Sequence, residues 1–201
     1  HKTIPHAMKV LLKSGELKIN GFLCPGHVSA IIGARPYQFI PRDFHVPCVI
    51  TGFEPMDMIL GVEMLLQQIV HQQAKVEIQY TRGVDELGNA SAQRIMEEVF
   101  EESDCEWRGL GFIAKSGLAM RKAFRDHDAH FLFSNLLLPK SLEQTSCMCG
   151  EILRGLRTPL ECPLFRNTCT PATPVGACMV SSEGTCAAYF KFSPETLRKK
   201  V

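Results

Sequence analysis

The sequence lacks a long apolar run, a strong charge of either sign, and the phosphate- or nucleophile-bearing loops of common enzymes. No stretch reaches the ~18 apolar residues of a membrane helix. The best one, Met56 to Val70, is interrupted by Asp57, Glu63 and two Gln. The first residues, His1-Lys2-Thr3-Ile4-Pro5, form no signal peptide, and there is no initiating Met. Lys and Arg number 22 against 21 Asp and Glu, a net charge of +1. That balance argues against a broad electrostatic footprint for nucleic acid. P-loop, G-x-G-x-x-G and G-x-S-x-G motifs are absent, so phosphate-transfer and serine-hydrolase readings have no support. Internal repeats and low-complexity tracts are absent as well. What remains is ordinary globular usage, 45% apolar and 21% charged over 201 residues, enough to bury a core without staples.

Residues 3–140 alternate between strand and helix patterns. Thr3 to Lys13 has helical spacing, with Ser14-Gly15 as a stop. Ile19 to Leu23 is a first strand, followed by Pro25-Gly26 and a helix from His27 to Ile32 that Gly33 ends. Val46 to Thr51 is a second strand. Asp57 to Gln73 is the strongest helix, with Ile59, Val62, Leu66, Ile69 and Val70 as its packing face and Met56, Met58 and Met64 as further packing residues. Val76 to Tyr80 is a third strand. Asn89 or Ser91 caps a helix running through Phe100. Trp107 to Ile113 predicts a fourth strand, Ser116 caps a helix over Leu118 to Phe124, and His130 to Phe133 predicts a fifth strand. This alternation predicts an open, mostly parallel α/β sheet with helices on both faces over residues 1–140. The composition changes near Leu138-Pro139, and residues 141–201 form a cysteine-rich region. Within it, Cys149 to Leu156 predicts a short helix, Ala187 to Phe192 a strand, and Ser193 to Val201 a helix end or frayed tail. Leu160 to Thr185 has too little periodicity to pack a core alone and needs a bound centre or a host domain.

Nine cysteines are many for such a chain, and an odd count precludes full intramolecular pairing. Cys24, Cys48 and Cys105 are scattered, and the first two read as buried thiols in strands. Cys147, Cys149, Cys162, Cys169, Cys178 and Cys186 share one 40-residue stretch. Without a secretory signal the chain reads as cytoplasmic, where clustered cysteines bind metal or do redox chemistry before forming structural disulfides. The spacing Cys162-x6-Cys169-x8-Cys178-x7-Cys186 supplies four thiolates. It contains no C-x2-C knuckle of the kind common in structural zinc sites. Loose Pro- and Gly-bearing loops suit a bulky cubane better than one ion, but spacing alone leaves a [4Fe–4S] cluster, zinc, and disulfides or free thiols all open. Cys147 and Cys149 are either small buried residues, or a redox pair or reactive thiol beside the cluster.

Ligands in parallel α/β sheets bind at the carboxyl ends of strands. His27, after Pro25-Gly26, and Glu54, in Gly52-Phe53-Glu54-Pro55, both fall at such ends. His27 could donate a hydrogen bond, ligate a metal, or simply cap its helix. Glu54 could be a ligand, a base or a helix N-terminal charge. Arg82 and Asn89 read first as a solvated loop residue and a cap.

Several stretches together resemble the HypD family of NiFe-hydrogenase maturation proteins. They are Pro25-Gly-His-Val-Ser29, Gly52-Phe-Glu-Pro55, Trp107-Arg-Gly-Leu-Gly111 and Cys149-Gly-Glu-Ile-Leu-Arg-Gly155. The most specific are Cys162-Pro-Leu-Phe-Arg-Asn-Thr-Cys169 and Pro174-Val-Gly-Ala-Cys178-Met-Val-Ser-Ser-Glu-Gly-Thr-Cys186-Ala-Ala-Tyr-Phe190. The resemblance implies two similar α/β domains and a smaller part carrying a [4Fe–4S] cluster. It implies a scaffold, formed with the small chaperone HypC, on which the Fe(CN)2CO unit of NiFe hydrogenase is built, with HypE as cyanide donor. Carried over, Cys162, Cys169, Cys178 and Cys186 are the expected cluster ligands. His27 and Glu54 belong to motifs that line the assembly cleft. An upstream domain with C-G-x-H-type and C-P-V-C motifs has no counterpart here. The expectation is therefore a carboxyl-terminal fragment that does not assemble the cofactor alone.

The reading that results is a maturation scaffold and electron conduit rather than a conventional enzyme, with no nucleic-acid or membrane partner. Two alternatives belong to other classes. One is an iron–sulfur thiol–disulfide oxidoreductase exchanging through Cys147 or Cys149. The other is a structural zinc-binding interaction module.

Overall fold

The computed structural model describes residues 1–136 and 146–193. A three-stranded parallel sheet forms in the order β1 (Phe22–Pro25), β2 (Cys48–Thr51), β3 (Val76–Ile78). Cys24 pairs with Ile50, and Ile50 with Ile78. All four residues of β2 are buried, as a central strand covered on both faces must be. Successive side chains leave opposite faces of a strand. Cys24, Cys48 and Ile50 therefore share one face. There they pack with Leu12 of α1 (Ile4–Lys13), with Tyr37, and with Ile40 of α3 (Phe39–Phe44). The opposite face is covered by α4 (Pro55–Val70): Gly61 lies against Thr51, and Gln68 Nε2 donates to Glu77 Oε2 at 2.7 Å.

Local chemistry sets the ends of these elements. Pro55 opens α4, where its missing N–H costs no helix bond and its φ is already helical. The helix α2 (Gly26–Ile32) stops at Gly33, whose φ of 77° lies in the left-handed region. The cap of α5 (Ala90–Val99) is Asn89, whose side chain accepts from Ala92 N at 2.9 Å.

The α/β class and the first three strands agree with the sequence reading, but the expected fourth and fifth strands do not join the sheet. Trp107 to Ile113 straddles a turn between β4 (Phe100–Trp107) and β5 (Gly111–Met120), which pair antiparallel as a separate ribbon. Gly109 and Gly111, with φ of 84° and 76°, take the left-handed conformations that the reversal requires. Ser116 caps no helix. It lies in β5, accepts from Trp107 Nε1 at 2.8 Å and donates to Ile113 O at 2.8 Å. The strand runs on to Met120, and a 3-10 turn over Lys122–His127 replaces the expected helix. His130 to Phe133 is no strand, because Asp128 accepts from His130 N at 2.9 Å and starts α6 (Ala129–Leu132).

The strongest helix exists, but its expected packing face does not pack. Ile59, Val62, Leu66, Ile69 and Val70 are exposed, as are Met56 and Met58, while Asp57, Gly61 and Gln68 are buried. The sheet side of α4 is the side on which a glycine lets the helix approach Thr51, and this turns the apolar stripe outward.

The cysteine-rich part contains α7 (Cys149–Leu153), a 3-10 turn over Pro159–Glu161, α8 (Ala177–Val180) and α9 (Thr185–Phe192). Ala187 to Phe192 is thus helix, not strand: Cys186 and Ala187 turn inward together from the first turn of α9. This part does have a core, and five of its nine buried members are cysteines. It touches the rest of the chain where Lys18 N donates to Arg154 O at 3.0 Å and where Gly150 meets the Gly109 turn. The compositional break at Leu138-Pro139 and the tail beyond Ser193 lie outside the described residues.

Candidate functional site

Two places gather the chemistry. The first is a cleft of about 380 Å³ at the carboxyl ends of β1 and β2, lined by His27, Phe53, Glu54, Asp57, Tyr80 and Arg82 among others. His27 and Glu54 thus share one end of the sheet. His27, at the second position of α2, is exposed, and its ring lies 5.1 Å from that of Phe53. Glu54 occupies the N-cap position of α4, yet its side chain caps nothing there. It accepts instead from Arg82 Nη2 at 3.2 Å.

The cleft floor is an ion network that spacing did not reveal. Asp57, read from sequence only as a break in an apolar helix, is buried and takes both arms of Arg82, at 2.8 and 2.6 Å. Gln79 Nε2 adds a third donor to it at 3.1 Å. The Arg82 guanidinium, helped by Gln79, holds the Asp57 carboxyl down at about 2 against the opposing effect of burial. Gly52 is required here, since a Cβ at that position would land on the Asp57 carboxylate. Thr51 Oγ1 donates to Asp57 O at 2.8 Å and ties the strand end to the helix start. Arg82 also stacks over Tyr80, 4.5 Å from the ring centroid. Arg82 is therefore no simple loop residue, whereas Asn89 is the cap its position suggested.

The second place is the sulfur core. Cys162 closes the 3-10 turn, Cys169 faces back toward Phe165, Cys178 sits in α8 and Cys186 in α9. All four are buried in one cluster with Cys149, Ile152, Phe165 and Met179, and Cys147 packs against it. Val175 N donates to Cys169 Sγ at 3.3 Å, and the Cys178 and Cys186 sulfurs are 3.0 Å apart. No disulfide joins any of the nine cysteines. Among the described residues the one buried carboxylate is Asp57, in the strand-end cleft, and no imidazole is buried, so the buried metal-binding donors around α7, α8 and α9 are thiols, the usual ligands of iron–sulfur clusters. Among the described residues no three Cys, His, Asp or Glu side chains are arranged to hold a single metal ion. The 3.0 Å contact is shorter than the roughly 3.8 Å between thiolates on a tetrahedral zinc, so any centre here requires the sulfurs to spread.

Cys149 fits an exchanging thiol poorly. It is buried, and its contact with Cys178 together with burial pushes the thiol well above the ordinary cysteine range. Thiol exchange needs a lowered, accessible one. Away from these places, Cys24 and Cys48 lie buried on neighbouring strands with their sulfurs 3.2 Å apart. No helix among the described residues is long and apolar enough to cross a membrane.

Comparison with known proteins agrees with the motif resemblance. A family model described as "HypD: Hydrogenase formation hypA family" matches residues 1–193. The chain is 44% identical over 194 residues to a hydrogenase maturation factor HypD of Escherichia coli, covering 96% of this chain and 52% of that protein. It is 43% identical over 190 residues to one of Rhizobium leguminosarum, covering 94% and 49%. It is 40% identical over 194 residues to a putative hydrogenase expression/formation protein of Methanocaldococcus jannaschii, covering 96% and 53%. The chain spans about half the length of these relatives. With the cysteine spacing, both strand-end motifs and a match over residues 1–193 in agreement, the chain belongs to the HypD family.

Proposed function

We propose that this chain serves hydrogenase maturation as a scaffold and redox component, with Cys162, Cys169, Cys178 and Cys186 as ligands of a [4Fe–4S] cluster. The observation that carries this reading is the gathering of those four thiols, from four separate segments, into one buried core. A bound cluster would supply electrons one at a time. The chain's own residues would deprotonate to bind it, and Phe165 and Phe190, packed edge to face at 6.2 Å, would keep water from one side. The strand-end cleft is the proposed place of contact with the cargo, the Fe(CN)2CO unit, and with partners of the HypC and HypE types. There His27 offers an accessible ring, and Glu54 a carboxylate oriented by Arg82. The proposal covers the whole assembly, of which this chain represents about half by length of its relatives.

Metal analysis of anaerobically purified protein tests the reading. About four irons with matching sulfide per chain are expected for a cubane on four cysteines. Replacing any one of the four by Ser should lower the iron content. Zinc without iron or sulfide would instead support a structural zinc module, and full iron retention in one variant would remove that cysteine from the ligand set.

A further inference from the structure

We propose that the main-chain N–H of Val175 tunes the reduction potential of the cluster through Cys169, an inference that rests on the cluster reading above. Val175 N donates to Cys169 Sγ at 3.3 Å. Among the described residues the sulfurs of Cys162, Cys178 and Cys186 accept no main-chain hydrogen bond, so this donor singles out one ligand of the four. A side-chain donor can swing away, whereas this one belongs to a closed loop. Thr170 N donates to Thr173 O at 3.3 Å and Thr173 N to Thr170 O at 3.1 Å, which folds the segment between Cys169 and Val175 on itself. Thr173 Oγ1 ties it back to Thr168 O at 3.0 Å. Pro171 and Pro174 fix two further backbone angles in the same loop. On the other side, Cys169 N donates to Leu164 O at 2.8 Å, and Cys169 O accepts from Arg166 N at 3.2 Å. Donor and acceptor are both anchored, as the outer partner of a metal ligand has to be in order to orient it.

The sign of the effect follows from charge. Reduction by one electron adds one negative charge to a cluster and its thiolates. An N–H dipole aimed at a ligand sulfur stabilises the more negative state more strongly than the less negative one. Water does little to dilute the effect, because Cys169 is 6% exposed and lies within the sulfur core. Hydrogen bonds to the sulfurs are among the levers that set such potentials. The Val175 amide therefore makes the cluster easier to reduce and draws the added charge toward Cys169. Donor and acceptor are six residues apart in one loop, so the amide travels with Cys169 when the sulfurs spread to take a cluster.

The test uses the 201-residue chain, loaded anaerobically with iron and sulfide. Val175→Pro removes the N–H and keeps an apolar side chain. Val175→Ala trims the side chain and keeps the N–H. Redox titration followed by electron paramagnetic resonance should place the midpoint of the Pro variant at least ~59 mV below that of the Ala variant, a tenfold change in the one-electron equilibrium. Protein grown on valine labelled with heavy nitrogen supplies a second measurement. Pulsed resonance of the reduced protein should show a coupling to the heavy nitrogen that disappears in Val175→Ala, whose donor nitrogen is unlabelled. Where the Pro variant does not hold its cluster, that coupling decides alone. Equal midpoints in the two loaded variants, a wild type without the coupling, or a coupling that survives Val175→Ala would each overturn the proposal. A wild-type chain that takes up no iron and sulfide would overturn the cluster reading itself, and this inference with it.

Discussion

Truncation of Ile50 to Ala probes how the sheet supports the cleft. Ile50 lies at the centre of the parallel sheet, fully buried, and packs in the cluster that contains Cys24, Tyr37 and Ile40. Its carbonyl accepts from Gln79 N at 2.9 Å and Tyr80 N at 3.2 Å. Ala keeps both of these bonds, so the change isolates the side chain. Removing three buried carbons at ~0.8 kcal/mol each loses about 2.4 kcal/mol of transfer free energy. Incomplete collapse of the cavity raises the total to about 3–4 kcal/mol. Against the ~5–15 kcal/mol typical of whole domains, that is a large share. With a urea slope of ~2–3 kcal/mol/M, the unfolding midpoint should fall by about 1–2 M. Ile50→Val should cost only about 1 kcal/mol. Hydrogen exchange should show lost protection at β1, β2 and β3, with the amides of α7, α8 and α9 largely unchanged, because the sulfur core shares no buried member with the sheet cluster. A midpoint shift below about 0.3 M would mean that the sheet is not the main store of stability. Equal loss of protection in both cores would mean that they fold as one unit.

Acid should act through Asp57. Its pKa is depressed to about 2 by Arg82, so its contribution is complete above the ordinary carboxylate value and lost as pH falls through about 2. Asp57→Asn should flatten the thermal midpoint between about pH 4 and 2, and an unchanged acid limb would refute this linkage. Trp107→Phe removes the donor to Ser116 but leaves that hydroxyl bonded to Ile113 O. It should cost about 1 kcal/mol in denaturant unfolding, and a cost above about 3 kcal/mol would show that the indole packs more than it bonds. Gly52→Ala should displace Asp57 from Arg82 and lower the thermal midpoint, whereas a neutral result would show that the strand end yields without strain.

The helices were legible where periodicity and a cap coincide, as at Asn89 and Gly33. The ribbon was not. A register shift between Ser103 and Cys105 breaks the alternation that would mark β4 as a strand. Val99 ends a helix and Phe100 begins a strand with no turn residue between them. In α9, Tyr189, Phe190 and Phe192 look like strand residues, but the cysteine at 186 anchors the helix in the sulfur core, an effect of tertiary context. In the cleft, His27 and Glu54 were legible from their places after short apolar strands. The bond from Arg82 to Asp57 joins residues 25 positions apart, and such pairings leave no trace in local spacing.

A core of hydrocarbon side chains keeps its composition for the lifetime of the protein, whereas one built on thiols does not. Five of the nine buried apolar residues around α7, α8 and α9 carry an oxidisable sulfur, and Cys178 and Cys186 already touch. An oxidant that joined that pair would withdraw two of the four proposed ligands at once and change the shape of the interior that remained. The firmness of this part of the molecule is then set by its chemical history as much as by temperature or denaturant. Two preparations of identical sequence, one kept from air and one exposed to it, would hold different interiors.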